Sequence, residues 1–178
     1  MTSGAARAAF CKGLRAESGG PEKLKEYGPF SLIVAFDVLE HLEDDREAVQ
    51  QIYGVLVPGG VAAVTVPAYP WLYSYHDQAL GHYQRYSRRR LLDLFRDAGF
   101  EVQKAAYFNA VGLFGAVVWR AAGTLLGTRR PDTLVLAATP AVLDAVLARA
   151  AAAESRVTLR WDLPIGLSLF LVARKGGD

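Results

Sequence analysis

The sequence predicts an α/β domain built on a mixed sheet, and three features of its first half predict it. Phe30 to Phe36 is an apolar run broken only by Ser31, the pattern of a strand buried on both faces as in parallel sheets. Asp44 and Glu47 stand at the spacing of a capping box, after which Ala48, Val49, Ile52, Tyr53 and Leu56 recur on one helical face. Val61 to Val66 reads as a second buried strand, so strand, helix and strand follow in the order of a parallel crossover.

The other elements follow from the same kind of reading. Residues 1–29 are small, polar and Gly-rich, a lead-in with no period beyond a short helix near Pro21 to Tyr27. Asp37 marks the carboxyl end of the first strand, and Pro58-Gly59-Gly60 stops the helix and turns the chain into the second strand. "PAYPWLYSYHDQALGHYQRY", Pro67 to Tyr86, is too long and too aromatic for a bare connection, and loops past strand ends are where α/β folds keep ligand contacts. Ser87 caps a helix with the face Leu91, Leu92, Phe95 and Ala98, and Gly99 is the left-handed residue past its end. Phe100, Val102 and Ala106 alternate with Glu101 and Gln103, as in a strand exposed on one side. Residues 108–160 hold two apolar helical stretches, Ala110 to Leu126 and Pro140 to Ala153, that read as an inserted cover, with Gly112 and Gly115 serving close helix packing. Leu167 to Val172, within 161–178, is the last strand.

Composition bounds the function. A chain of 178 residues, 52% hydrophobic and 21% charged, suits one globular domain. Its net charge of +2 excludes a nucleic-acid binder, which needs clustered basic residues to displace counterions. The single cysteine, Cys11, has no metal-ligand spacing around it, and the first residues lack the apolar run of a secretory signal, so the cytoplasm is the expected compartment. Ala105 to Trp119, the longest uncharged stretch of the middle, falls short of the roughly 20 apolar residues of a spanning helix. Peripheral contact of the cover helices with a membrane surface stays open.

"FDVLEHL" at the end of the first strand, the turn "PGG" and the loop segment "GHYQRYS" together resemble the class I S-adenosylmethionine-dependent methyltransferases, and within them the ubiquinone-biosynthesis O-methyltransferases. The likeness covers Phe30 to Tyr107 well and Pro164 to Lys175 loosely. It implies a Rossmann-like three-layer sandwich with antiparallel strands at its C-terminal end, S-adenosylmethionine as cofactor, and methyl transfer to a small or lipid-linked acceptor, most simply at oxygen. That family opens with a Gly-rich turn after its first strand and an acidic residue after its second, and this sequence shows neither. Gly19-Gly20 follows Glu17 and Ser18 rather than an apolar run. The expectation is therefore an incomplete domain, truncated at its start and impaired in activity, with one edge of its sheet bare for a partner chain. The alternative is a non-catalytic relative that serves as a binding or scaffold subunit.

The resemblance also assigns residues. Phe36 and Asp37 would meet the methionine and sulfonium end of the cofactor, where a carboxylate attracts the cation; the plain alternative for Asp37 is a turn residue. In some relatives a residue set matching Asp37, Glu40 and His41 holds a divalent metal, whereas the favoured reading here is a His41 that packs against a carbonyl beside a solvated Glu40. His76, Asp77, Tyr83, Arg85 and Tyr86 would shape the acceptor pocket or fix the loop on the sheet. His82, which titrates in the right range, is the candidate catalytic base for a hydroxyl acceptor, against the alternative of a hydrogen-bonded structural imidazole. Arg88, Arg89 and Arg90 open a helix, where positive charge opposes the macrodipole, and this invites either an anionic ligand or a solvated face.

Overall fold

The computed structural model describes residues 19–115, 117, 149–150, 152–154, 156–157 and 161–177. Most of the expected lead-in and cover, and Cys11, lie outside them. In chain order the elements are β1 (Phe30–Phe36), α1 (Asp45–Val55), β2 (Leu56–Pro67), α2 (Tyr75–Ala79), α3 (Arg88–Asp97), β3 (Phe100–Phe108) and β4 (Ser168–Lys175). A 3-10 helix, Pro21–Glu26, stands where the lead-in was expected to turn helical. The sheet order is β1-β2-β4-β3, with β1 and β2 parallel and β4 antiparallel to both neighbours. The carboxyl ends of β1, β2 and β3 therefore share one edge of the sheet. No helix among the described residues is long and apolar enough to cross a membrane.

Register sorts the side chains into two faces. Ile33 and Ala35 lie in rows with Ala62 and Val64, then with Ala173 and Leu171, and this face forms one core with Val49 and Ile52 of α1 and Leu91 and Phe95 of α3. The opposite face corrects the expectation that β1 is buried on both sides: Leu32, Val34 and Phe36 are 55%, 50% and 54% exposed. A run that is apolar on both faces apart from Ser31 gives no sign of which face a helix will cover, and among the described residues β1 is also an edge strand. Burial of the covered face supplies the folding energy, at about 25 cal/mol per Å² of apolar surface removed from water.

The local signals act much as predicted, with shifts at the ends. Asp44 Oδ1 accepts from Glu47 N–H at 2.8 Å, but Glu47 turns its own carboxylate to Gln51 Nε2 at 2.9 Å, so only half of the capping box forms. The α1 helix ends at Val55, and β2 starts ahead of Pro58-Gly59-Gly60 rather than after it. The three residues form an irregularity in the β1–β2 ladder between the pairs Phe30–Leu56 and Leu32–Val61. Gly59 has φ 76°, and a Cβ on Gly60 would come within 2.9 Å of the Val57 carbonyl oxygen, which explains both glycines. Lys175 Nζ donates to the carbonyls of Tyr53 and Leu56 at 2.9 and 2.8 Å, capping the C-terminus of α1 with a cation.

Ser87 Oγ accepts from Arg90 N–H at 3.2 Å as the cap of α3, whose buried face is Leu91, Leu94 and Phe95, with Leu92 and Ala98 only partly covered. Gly99, at φ 95°, closes the helix. Gly112 has a local reason in place of the expected helix packing, since its N–H is capped by Asn109 Oδ1 at 3.0 Å, while nothing lies within 4 Å of a Cβ on Gly115.

The two faces should respond differently to substitution. Phe95→Ala, in the core, is expected to cost about 3–5 kcal/mol in urea unfolding, whereas Val34→Thr on the open face should stay within about 0.5 kcal/mol of the parent.

Candidate active site

Among the described residues three non-glycine residues have positive φ, and each follows the carboxyl end of a strand: Asp37 (φ 52°) after β1, Tyr69 (φ 61°) after β2 and Asn109 (φ 62°) after β3. Such conformations cost on the order of 1–3 kcal/mol each and gather at functional edges. Backbone bonds offset the cost. Asp37 N–H donates to both the carbonyl and Oγ1 of Thr65 at 3.1 Å, and Thr65 Oγ1 donates to Asp37 Oδ1 at 3.1 Å. Tyr69 N–H reaches the Tyr86 carbonyl at 2.9 Å, and the Asn109 carbonyl accepts from Leu167 and Leu113. Tyr69 also stacks on Tyr107, with centroids 5.4 Å apart, and touches Trp71.

Past Asp37 the chain makes a 3-10 turn, Leu39–His41, that buries Leu39 and Glu40. Glu40 was expected in solvent; it is 1% exposed, and its Oε2 has no hydrogen-bond partner among the described residues. Burial pushes its carboxyl above the usual range, and the nearby Asp37 adds to the shift. His41 is exposed, places Nδ1 3.3 Å from the Gly81 carbonyl, and meets the His82 ring edge-on at 4.7 Å. The Glu40 carboxylate and one ring nitrogen from each of His41 and His82 lie within 4.8 Å of one another. Asp37, which the resemblance sets beside Glu40 and His41, is not among these three residues, and its Oδ1 accepts from Thr65 Oγ1.

His82 is brought there by the loop. Ser74 and Asp77 form a complete capping box on the short α2, with Ser74 N–H donating to Asp77 Oδ2 at 2.9 Å. The other carboxylate oxygen, Oδ1, faces His82 Nδ1 at 3.1 Å and accepts from Arg85 Nε at 2.7 Å. Burial raises the Asp77 pKa, but the Arg85 hydrogen bond and charge, with Ser74 and His82, outweigh it and hold the carboxyl below its ordinary value. An ionised carboxylate only accepts, so His82 Nδ1 carries the proton and Nε2 is left with the lone pair. Tyr73 Oη donates to the His82 carbonyl at 2.8 Å, and Tyr83 N–H to the Glu40 carbonyl at 2.7 Å, so the loop is stitched to the turn below it.

The remaining predicted residues divide by burial. Phe36 and Asp37 stand exposed at the tip of β1, and Tyr83 is exposed beside the cluster. His76 lies on α2 outside the Glu40, His41 and His82 group. Asp77 and Tyr86 are fully buried, so they support the site and cannot line an open pocket. Tyr86 Oη donates to Asp45 Oδ2 at 2.9 Å and contacts the Leu39 carbonyl at 3.2 Å; burial, then Asp45, pushes its pKa strongly upward. Arg85 also reaches the Ala68 carbonyl. The three arginines of α3 find protein partners: Arg88 the Ala105 carbonyl, Arg89 the Asp93 carboxylate and Arg90 that of Asp45. Sequence reasoning missed Thr65, which no local signal marks, and the Ser74 to Asp77 box, which the spacing S-x-x-D did carry.

Residues 8–105 match the model of a family described as a methyltransferase domain. A probable S-adenosylmethionine-dependent methyltransferase of Mycolicibacterium smegmatis is 34% identical over 85 residues, which span 46% of this chain and 33% of the relative. Among solved structures, the cyclase SpnF is 20% identical with a TM-score of 0.55, over 98% of this chain and 62% of its own. A methyltransferase from Archaeoglobus fulgidus, described as S-adenosylmethionine-dependent, is 18% identical with a TM-score of 0.53, over 94% and 71%. The solved structures share the fold, and the chain spans about a third of the length of its curated relative.

The depressed Asp77 pKa fixes the sign of a pH effect. Its pairing stabilises the fold fully above the ordinary carboxylate pKa of about 4 and is lost as pH falls through the lower folded-state value. Asp77→Asn, which also leaves Arg85 without its buried partner, should cost about 3–5 kcal/mol at neutral pH. Urea midpoints followed into acid should show that penalty shrinking.

Proposed function

Because the chain belongs to this methyltransferase-domain family, we propose that it serves S-adenosylmethionine-dependent methyl transfer to a small or lipid-linked acceptor, with oxygen as the receiving atom. One observation carries the reading: past the carboxyl ends of the strands stand a carboxylate, Asp37, at the tip of β1 and, on the loop after β2, an imidazole, His82, that faces a buried carboxylate. The family match over residues 8–105 supports the donor. The likeness of "FDVLEHL" and "GHYQRYS" to ubiquinone-biosynthesis O-methyltransferases supports the oxygen. Fold alone would not suffice, since a cyclase shares it.

When bound, S-adenosylmethionine supplies an electrophilic methyl group on a sulfonium centre. Phe36 and Asp37 would hold the methionine end, offering an exposed ring and a carboxylate to the sulfonium cation. For the nucleotide end the described residues offer no Gly-rich turn after a strand, because Gly19 and Gly20 lead into a 3-10 helix. His82 takes the acceptor's hydroxyl proton at its lone-pair nitrogen. Asp77 holds the ring and balances the imidazolium charge, and Arg85 keeps Asp77 ionised. Tyr83 and His76 border the acceptor side.

Among the described residues β1 is an edge strand, and Leu32, Val34 and Phe36 are half exposed on one face, which favours a second reading in which the chain is a binding subunit paired with another polypeptide.

Calorimetry with S-adenosylmethionine separates the two. The methyltransferase reading expects weak binding that Asp37→Asn reduces roughly tenfold, about 1.4 kcal/mol, and absence of any heat with the parent chain favours the binding subunit. In a labelled-methyl assay His82→Gln should lower the rate by about 10²–10⁴-fold with donor affinity retained; an unchanged rate would remove His82 from the chemistry.

A further inference from the structure

We infer that Glu40 makes the donor pocket selective for charge, its buried carboxylate favouring the cationic sulfonium donor over the neutral thioether that remains once the methyl group has gone. This rests on the methyltransferase reading and deepens it, by giving a role to a residue that the reading leaves idle. Glu40 is 1% exposed, and its Oε2 has no hydrogen-bond partner among the described residues. A carboxylate oxygen buried in this way costs free energy until positive charge comes near it. The sulfonium centre is such a charge, and Asp37, the residue placed against it, lies three positions away at the tip of β1.

The turn after β1 fixes Glu40 in this place. His41 N–H donates to the Val38 carbonyl at 3.1 Å, Leu42 N–H to that of Leu39 at 3.2 Å, and Tyr83 N–H to that of Glu40 at 2.7 Å, so the chain leaving β1 buries the Glu40 side chain and is clamped from the loop. Burial and then the Asp37 charge push the Glu40 carboxyl upward, and its own backbone amide, His41 and Arg85 offset only part of this. Arg85 is itself paired with Asp77 at 2.7 Å. The two carboxylates at the strand tip therefore differ in kind. Asp37 is exposed and can meet the methionine end by contact. Glu40 Oε2 is out of water and acts through its field, which a protein interior screens less than solvent does, so Glu40 is a positioning residue that responds to charge alone. Methyl transfer leaves the bonding pair on sulfur and turns the cation into a thioether, while the acceptor's proton goes to His82. The attraction ends with the reaction, and the spent donor leaves more readily than the fresh one.

Calorimetry on the whole chain, with three ligands and no turnover, tests this: S-adenosylmethionine, S-adenosylhomocysteine, and sinefungin, whose amine puts a cation where the sulfonium stands. The parent chain should bind the two cations at least about tenfold more tightly than the thioether, the scale of a weakly screened charge pair. Glu40→Gln should cut that preference by about threefold or more, weakening the cations and sparing the thioether. A residue with a purely structural role would weaken all three alike. Glu40→Met, of similar length and with no polar group to bury, replaces the Gln variant if that one fails to fold, and circular dichroism checks both. Equal affinities in the parent, or a cation preference that both variants keep, would overturn the inference and leave the methyltransferase reading standing. Absence of heat with every ligand removes that reading and the inference together.

Discussion

The ion pair between Asp77 and Arg85, 2.7 Å long with Asp77 wholly out of water, is the constraint on which the site depends. A buried carboxylate is tolerated only when its oxygens are met, and here the Ser74 amide, His82 and Arg85 meet them. Arg85 in turn reaches the Ala68 carbonyl at the end of β2. An aromatic loop that could wander is thereby fastened at its middle to the strand end, and the fastening sets where His82 points. Tyr86 repeats the device at the loop's exit, anchoring through Asp45 to the start of α1.

What the sequence made legible was whatever depends on near neighbours. The crossover of β1, α1 and β2, the Ser87 cap and the Gly99 stop all follow from spacing and side-chain chemistry within a few residues. The open face of β1 was not legible, because Leu32 and Val34 read the same whether or not a helix lies over them. The site was legible by residue type and not by grouping. Asp37, Glu40, His41 and His82 were all singled out, but the turn at Leu39–His41 rotates Glu40 inward, and the loop folds back to bring His82 against His41. Asp77 changed from a candidate pocket residue to a buried support for the same reason: its partner Arg85 lies beyond the short helix it caps.

Strain and chemistry occupy the same edge. Asp37, Tyr69 and Asn109 each leave their strands in the left-handed region, and none is glycine. Each is held by hydrogen bonds to a different segment: Asp37 to Thr65, Tyr69 to Tyr86, and Asn109 to Leu113 and Leu167. That arrangement gives a rigid rim, against which groups can be placed with little motion.

The position of β4 has a consequence for how the molecule is made. It lies between β2 and β3 although it is synthesised after both, and its residues pair with Val61–Pro67 and Phe100–Phe108 across long sequence separations. A growing chain thus leaves the ribosome with two inner ladder edges vacant until this segment arrives. Slow acquisition of the native state and a need for chaperone shielding during translation are the natural cost of a sheet whose middle is supplied late.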